Sequence, residues 1–311
     1  MEVIEHTNKR FMTSFTRVEP LLIDSTSLTT YLTCPRKYFY RIVLGFISKG
    51  SVPPYFAFGS AYHKFREILD NSMNDTVDGK PRSESEAFIL ALQAAKAYAA
   101  KYLKEAEVGT KWDFLTAGRL ALSCEKAFEV WLEERKKFKV IAAEQIVTVS
   151  LPHGTGIMGK IDRLISWNGR VWVWDYKTTS KLGPYYERSL EPNDQFARYI
   201  WMTQQLSGQA IAGLMVDVLY NSKKEGPKFQ LFPTARNKTQ LDNWVREHKY
   251  WEEQIENNRK EDFWPMNPKS CAFCEYHSVC KQGTESGQMS QLKSYYKVKQ
   301  WDPNHTEEDD E

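Results

Sequence analysis

Apolar residues change their period several times along this chain, and each change marks an element. Between about 85 and 137 they recur at helical spacing, with Leu120, Phe128 and Trp131 on one stripe, which predicts helices over 85–106 and 113–137. Shorter helices are predicted from Ser27, as N-cap, to Cys34 and over 58–70. The stretch Asn71–Ser85 is rich in Asn, Asp, Gly and Ser and reads as a loop. From residue 140 the period drops to two, giving strands at 140–151, 156–167 and 170–177 in a meander. Val171-Trp172-Val173-Trp174 is apolar at every position, so the third strand is expected to be buried on both faces. A helix at 191–206 then leads to a strand at 210–220, positioned to join the same sheet by a parallel crossover. A strand at 228–235 and a helix at 238–258 complete the pattern.

The turn between the second and third strands carries the first chemical information. Asn168-Gly169 is the dipeptide of a two-residue type I′ hairpin, whose central residues both need positive φ. Pairing Trp167 with Arg170 sets a register in which Asp162 faces Asp175 and Lys160 faces Lys177. Residues two apart on a strand share a face, so two carboxylates and two ammonium groups converge on one patch. Opposed carboxylates, roughly 5 Å apart at Cβ, repel. A divalent cation between them removes that cost, and Mg²⁺ binds through one or two carboxylates plus water and phosphate. Lys177 alongside can hold an attacking water or a developing phosphate charge. A solvated face of alternating charge is the plainer reading of either segment alone. The apolar run leading into Asp175 and Lys177 argues against it.

The series Gly159-Lys160-Ile161-Asp162, then Asp175-Tyr176-Lys177, then Gln195-x-x-x-Tyr199 resembles the PD-(D/E)XK nucleases, and within them the RecB-like exonuclease branch, including CRISPR-associated types. That branch carries a histidine on an early helix, and Gly59-Ser60-Ala61-Tyr62-His63 fits it. It also carries one early and three late cysteines around an iron–sulfur cluster, matched by Cys34, Cys271, Cys274 and Cys280. The resemblance runs from about Ser27 to Cys280; each motif is weak alone and strong in this order. It implies a metal, Mg²⁺ or Mn²⁺, on His63, Asp162, Asp175 and the main-chain carbonyl of Tyr176. Imidazole beside carboxylates widens the preference toward Mn²⁺. It further implies that Lys177 orients the nucleophile, that Gln195 contacts this lysine or the substrate, and that Tyr199 packs on the DNA strand. Glu144, on the preceding strand, is an outer-shell acid at most.

The cysteine spacing C-x2-C-x5-C with a distant fourth thiol suits a [4Fe–4S] cluster or structural Zn²⁺ equally. The resemblance favours iron–sulfur, whereas His277 keeps zinc open. Because Cys34 and Cys280 come from opposite ends of the sequence, a shared cofactor would staple those ends together. Cys124, between Leu122 and Ala127 in a helix, reads as a small core residue.

Composition bounds the rest. With 311 residues, 41% hydrophobic and 26% charged, the chain has the make-up of a folded, soluble protein. The polar start Met1-Glu2-Val3-Ile4-Glu5-His6 is unlike a secretory signal, and no apolar run reaches the length of a membrane span. Reduced thiols and a cytoplasmic location, in a prokaryote or phage, are therefore expected. The net charge of +2 hides an acidic end, since Asp302, Glu307, Glu308, Asp309, Asp310 and Glu311 lie within the last ten residues. The remainder is mildly basic, compatible with a local phosphate-binding groove. Lys181, Arg198, Lys223 and Lys224 are candidate phosphate contacts, and Trp172, Trp174, Tyr185 and Tyr186 candidate stacking platforms for unpaired bases.

The fold expected is α/β, a mixed central sheet flanked by helices, with an all-helical insertion over about 71–138 and a C-terminal iron–sulfur staple. The domain limits expected are an arm at 1–26, a nuclease domain at 27–283 and a tail at 284–311. The activity expected is metal-dependent DNA exonuclease chemistry, from single-stranded ends, in recombination, repair or replication. The alternatives are a non-catalytic DNA-binding scaffold in recombination or CRISPR adaptation, and an endonuclease. No G-x-x-x-x-G-K-[ST] occurs, so ATP-driven unwinding would come from a helicase partner. A recombinase or single-strand-binding protein is the other partner type expected, and no membrane.

Overall fold

The structure, a computed structural model, describes residues 23–50, 52–72, 76–77, 80–103 and 109–302. Its elements run in chain order α1 (Ser25–Thr33), α2 (Pro35–Tyr38), β1 (Phe46–Ser48), α3 (Pro54–Ser72), β2 (Thr76–Val77), β3 (Lys80–Pro81), α4 (Glu84–Tyr102) and α5 (Ala117–Glu134). Then come β4 (Lys139–Ser150), β5 (Gly156–Trp167), β6 (Arg170–Thr179), α6 (Pro184–Ser189), α7 (Asp194–Ser207), β7 (Gly213–Tyr220) and β8 (Lys228–Thr234). The chain finishes with α8 (Lys238–Lys260), α9 (His277–Cys280), α10 (Glu285–Tyr295) and β9 (Tyr296–Val298). It forms two compact units, one of residues 50–147 and 160–244, the other of 23–49, 148–159 and 245–302 among the described residues.

Strands β4 to β8 make a five-stranded sheet in that spatial order. The Asn-Gly turn takes the conformation its sequence demands, with φ of 50° at Asn168 and 70° at Gly169. The β5–β6 pairing follows the expected register from Trp167–Arg170 to Arg163–Trp174. It stops there, one step short of the expected Asp162–Asp175 pair. The Asp162 carboxylate instead accepts the Tyr176 N–H at 2.7 Å. Strand β6 pairs parallel with β7 after the α7 crossover, and β8 closes the sheet antiparallel to β7. The mixed sheet flanked by helices is thus present as read from the sequence.

The insertion packs its helices on α3 through a ridge of small side chains. Ala87, Ala91, Ala95 and Ala99 recur every four residues on α4, all buried, against Ala57, Ala61 and Phe65 of α3 and Trp131 of α5. Methyl groups at that spacing let helix axes come close, and Ser83 with Glu86 closes a capping box at the start of α4. The insertion is not all helical: β2 and β3 pair as a short antiparallel hairpin inside the stretch read as a loop. Cys124 lies fully buried in this cluster, as expected of a core residue.

In the other unit, α1 starts one turn earlier than the Ser27 N-cap reading. Asp24 is the cap, and Ser27 sits at the third helical position, returning a bond to the Asp24 N–H at 3.1 Å. Residues from 284 on, read as a tail, continue as α10 and β9 before the acidic end, most of which lies outside the described residues. Strand β9 pairs antiparallel with β1, Phe46 against Val298, joining segments from the two ends of the sequence. His153, in the β4–β5 turn, and His248, on α8, each hold one oxygen of Glu252 at 2.7 Å.

Gly213 opens β7 where no side chain fits. A Cβ there would lie 2.5 Å from the Thr234 carbonyl oxygen of β8. Gly213→Ala is therefore expected to force β7 and β8 apart and cost about 1–3 kcal/mol, as overpacking usually does. Urea denaturation of the purified variant checks this; an unchanged midpoint would show that the β7–β8 approach has slack.

Candidate active site

The site residues, carried by α3, β4, β5, β6 and α7, all lie within the unit of residues 50–147 and 160–244. Helix α3 brings His63 to Asp162, with Nδ1 3.5 Å from Oδ2. Gly59, one turn earlier, is where α3 approaches β6: a Cβ there would meet Thr178 Oγ1 at 3.0 Å. On β6, alternation points Asp175 and Lys177 the same way, and they pair at 2.7 Å. Lys177 also donates to Gln195 Oε1 at 3.1 Å, while Gln195 Nε2 donates to the Tyr199 hydroxyl at 3.0 Å. The amide is thereby fixed in one orientation, with its oxygen toward the lysine.

Glu144 completes the group, and it does so by an unusual backbone. Its φ of 52°, within β4, is a left-handed conformation that breaks the alternation of the strand. Ligand atoms of His63, Glu144 and Asp162 all lie within 4.8 Å of one another. Imidazole nitrogen and carboxylate oxygen are donors that hard or borderline divalent ions such as Mg²⁺ and Mn²⁺ accept, so the residues fit such an ion.

Burial and crowding shape the charges. Burial pushes the Asp175 carboxyl up to about 6; Lys177 pulls it back, and Asp162 adds to the rise. Glu144 is pushed up to about 7, by burial first and then by Asp162, against the pull of Lys160. Burial alone would raise Asp162, but His63 and Lys177 hold it below the usual carboxylate range. Burial also works against the imidazolium of His63, yet the Asp162 and Glu144 carboxylates outweigh it and leave the pKa raised.

Behind the sheet lies a second set of charges that the sequence reading did not single out. The Tyr176 side chain points away from Asp175 and Lys177. Its hydroxyl takes bonds from Arg66 at 2.9 Å and Arg163 at 3.1 Å and donates to Asp70 at 3.2 Å. Glu134 accepts from both arginines, at 3.3 and 3.2 Å, and Trp131 Nε1 donates to Asp70 at 2.8 Å. All six of these Tyr, Arg, Asp, Glu and Trp side chains are buried. A signal for this cluster was present: His63, Arg66 and Asp70, spaced i, i+3 and i+7, share one helix face, and charged residues on an otherwise apolar stripe need partners.

Several expected contacts fall elsewhere. Tyr199 is only 5% exposed, so its ring supports Gln195 and offers no surface to a DNA strand. Arg198 is fully buried, bonded to Asp194 at 3.3 Å and stacked on Trp244, not free for phosphate. Lys223 pairs with Asp113 at 2.7 Å, while Lys181 and Lys224 are exposed. Trp174 is buried with its indole N–H on Asp217, Trp172 packs against an apolar cluster of Ile165, Trp174, Tyr176 and Met215, and Tyr186 is half-buried. Of the four stacking candidates only Tyr185 stands out, at 89% exposure.

The four cysteines read as cofactor ligands do not form the expected cage. Cys34, Cys271, Cys274 and Cys280 are free thiols in the other unit, and among the described residues no metal-ligand group includes any of them. Tetrahedral zinc would need sulfurs at roughly 3.8 Å from one another, given Zn–S bonds near 2.3 Å. The thiols have other partners instead. Cys34 Sγ accepts the Asn267 N–H at 3.4 Å, Cys271 donates to the Asn267 carbonyl at 3.6 Å, and Cys274 and Cys280 pack on an apolar cluster around Tyr276. The chain ends that a cofactor was expected to staple are joined by protein contacts. Asn267 Nδ2 donates to the Thr33 carbonyl at 2.9 Å, Arg36 Nε to that of Trp264 at 3.1 Å, and Tyr38 stacks on Trp264.

The family model described as "PD-(D/E)XK nuclease superfamily" matches residues 25–281. The chain belongs to that superfamily. Its members use divalent metals, which the His63, Glu144 and Asp162 group is suited to hold. The chain is similar to an ATP-dependent helicase/deoxyribonuclease subunit from Streptococcus equi subsp. zooepidemicus (strain H70), at 26% identity over 212 residues. That match takes in 65% of this chain and only 18% of the relative's length. Among solved structures, a suspected exonuclease from Eubacterium rectale aligns over 93% of this chain and 98% of its own, with a TM-score of 0.53 and 10% identity. That likeness is one of fold. No helix among the described residues is long and apolar enough to cross a membrane.

Metal binding by this site should depend steeply on pH. Asp175 and Glu144 must lose protons, through about 6 and about 7, and His63 must be neutral to donate its nitrogen. Every one of these steps is favoured by raising the pH. Mn²⁺ affinity measured by calorimetry is expected to rise from pH 5.5 to pH 8, with net proton release that varies with buffer ionisation enthalpy. Affinity that is flat across this range would contradict the site.

Proposed function

We propose that this PD-(D/E)XK protein is a metal-dependent DNA exonuclease working from single-stranded ends, with an ATP-driven helicase as its partner. The observation that carries the reading is the pairing of Lys177 with both Asp175 and Gln195, beside His63 and Asp162. A lysine held at two points by acid and amide is placed to orient a nucleophile, and a merely structural surface lysine has no need of both. His63, Glu144, Asp162 and Asp175, with the Tyr176 carbonyl, would hold the ion. When bound, a divalent ion there lowers the pKa of a coordinated water and polarises the scissile phosphate. The fold likeness to a suspected exonuclease supports action at ends, and the likeness to a helicase/deoxyribonuclease component supports the partner. Tyr185, exposed on α6 just after β6, is the platform for an unpaired base. A scaffold role is disfavoured because the acid and lysine set is complete.

Asp175→Asn and Lys177→Ala are expected to reduce cleavage about a thousandfold, the scale of losing one ligand or charge stabiliser. Near-normal activity in purified Asp175→Asn protein would remove the proposed centre. A second measurement concerns ends: linear single strands should be degraded while covalently closed circles of the same sequence survive. Efficient cutting of the circles would shift the reading to an endonuclease.

A further inference from the structure

The charges in the site balance without an ion. Three carboxylates face it, and each has a cation: Asp175 holds Lys177, Asp162 holds His63, and Glu144 holds Lys160 through Oε2 and Nζ. The third pair differs from the others. The Glu144 side chain is only 8% exposed, whereas that of Lys160 is 47% exposed. Glu144 adopts a left-handed backbone there, a conformation that is strained for a residue with a side chain. A half-exposed ion pair returns too little to offset that strain. The strain therefore calls for a stronger use of the Glu144 carboxylate, and the group it forms with His63 and Asp162 supplies one.

We propose that Lys160 is a phosphate-binding residue held in reserve by Glu144, and that it is freed for the DNA strand when Glu144 is committed to the metal. The inference rests on the metal-dependent nuclease reading above and goes beyond it by ordering the two ligands. An ion taken up by the Glu144 carboxylate competes with Lys160 for the same negative charge. Without an ion the three carboxylates are matched by Lys177, His63 and Lys160, so none of these cations is left over for a phosphate. A divalent ion taken up by Glu144 adds two positive charges and releases Lys160. DNA grip thus follows metal loading, and Lys160 acts as a positioning residue, outside the chemistry itself.

Lys160→Met tests this by two shifts of opposite sign. Mn²⁺ binding to DNA-free protein, by calorimetry, should tighten by about fivefold or more, because a competing ammonium is gone. Binding of fluorescent oligo(dT) to Ca²⁺-loaded protein should weaken by about tenfold, with the salt slope reduced by about 0.7, one phosphate contact. Glu144→Gln should behave in reverse, with weaker Mn²⁺ binding and tighter oligo(dT) binding in EDTA. Unchanged or weaker Mn²⁺ affinity in Lys160→Met, or an unchanged salt slope, would overturn the exchange. These are binding measurements, so they separate the two readings. Both shifts in Lys160→Met alongside a wild-type protein that cleaves no DNA would support the exchange while refuting the nuclease.

Discussion

The Tyr176 hydroxyl, buried behind the sheet, is the point on which the site's geometry depends. It is bound by Arg66 and Asp70 from the helix of His63 and by Arg163 from the position next to Asp162. Tyr176 itself separates Asp175 from Lys177. Helix α3 and strands β5 and β6, which present His63, Asp162, Asp175 and Lys177 to the front of the sheet, thus each hand another side chain to this cluster at the back. The Tyr176 N–H adds a direct tie by bonding Asp162 Oδ2. Two arginines buried at 0% exposure cannot be left without their acids, since breaking a buried pair costs about 3–5 kcal/mol. That penalty couples the positions of α3, β5 and β6 to one another. Polar clusters of this kind contribute less to net stability than apolar packing would, and here what the cluster fixes is relative placement.

In front of the sheet the problem is reversed, because carboxylates that repel one another must be kept close. The structure answers with a cation for each acid and with depth of burial that differs from acid to acid. Asp162, next to His63 and the Tyr176 N–H, stays readily ionised, while Asp175 and Glu144 are harder to ionise. Such an arrangement is poised to take a divalent ion, which relieves the repulsion that burial has concentrated.

The cysteines show how spacing misleads when partners are counted along the chain. C-x2-C-x5-C and a distant Cys34 do come to the same unit, yet their sulfurs are engaged with the Asn267 backbone and an apolar cluster. The closure of the chain's two ends, for which a cofactor was the sequence-based explanation, is provided by the β1–β9 pair and the ring stack of Tyr38 on Trp264. A backbone ladder and an aromatic contact leave no trace in a cysteine pattern.

What this sequence determined by itself was everything governed by neighbours in the chain. Asn168-Gly169 fixed the turn, the turn fixed the register, and strand alternation placed Asp175 with Lys177 on one face. The i, i+4 spacing likewise placed Gln195 with Tyr199, and the order of the motifs carried the family. Only the tertiary structure decided what each side chain touches at long range. It turned Tyr199 and Arg198 inward, buried Trp174, brought Glu144 to His63 through a local backbone reversal, and ended the β5–β6 ladder at the Asp162 carboxylate. The reason is physical: turn and period preferences act within a few residues and are written locally. Burial, charge pairing and metal-ligand distance depend on segments up to hundreds of residues apart, whose packing no local pattern encodes.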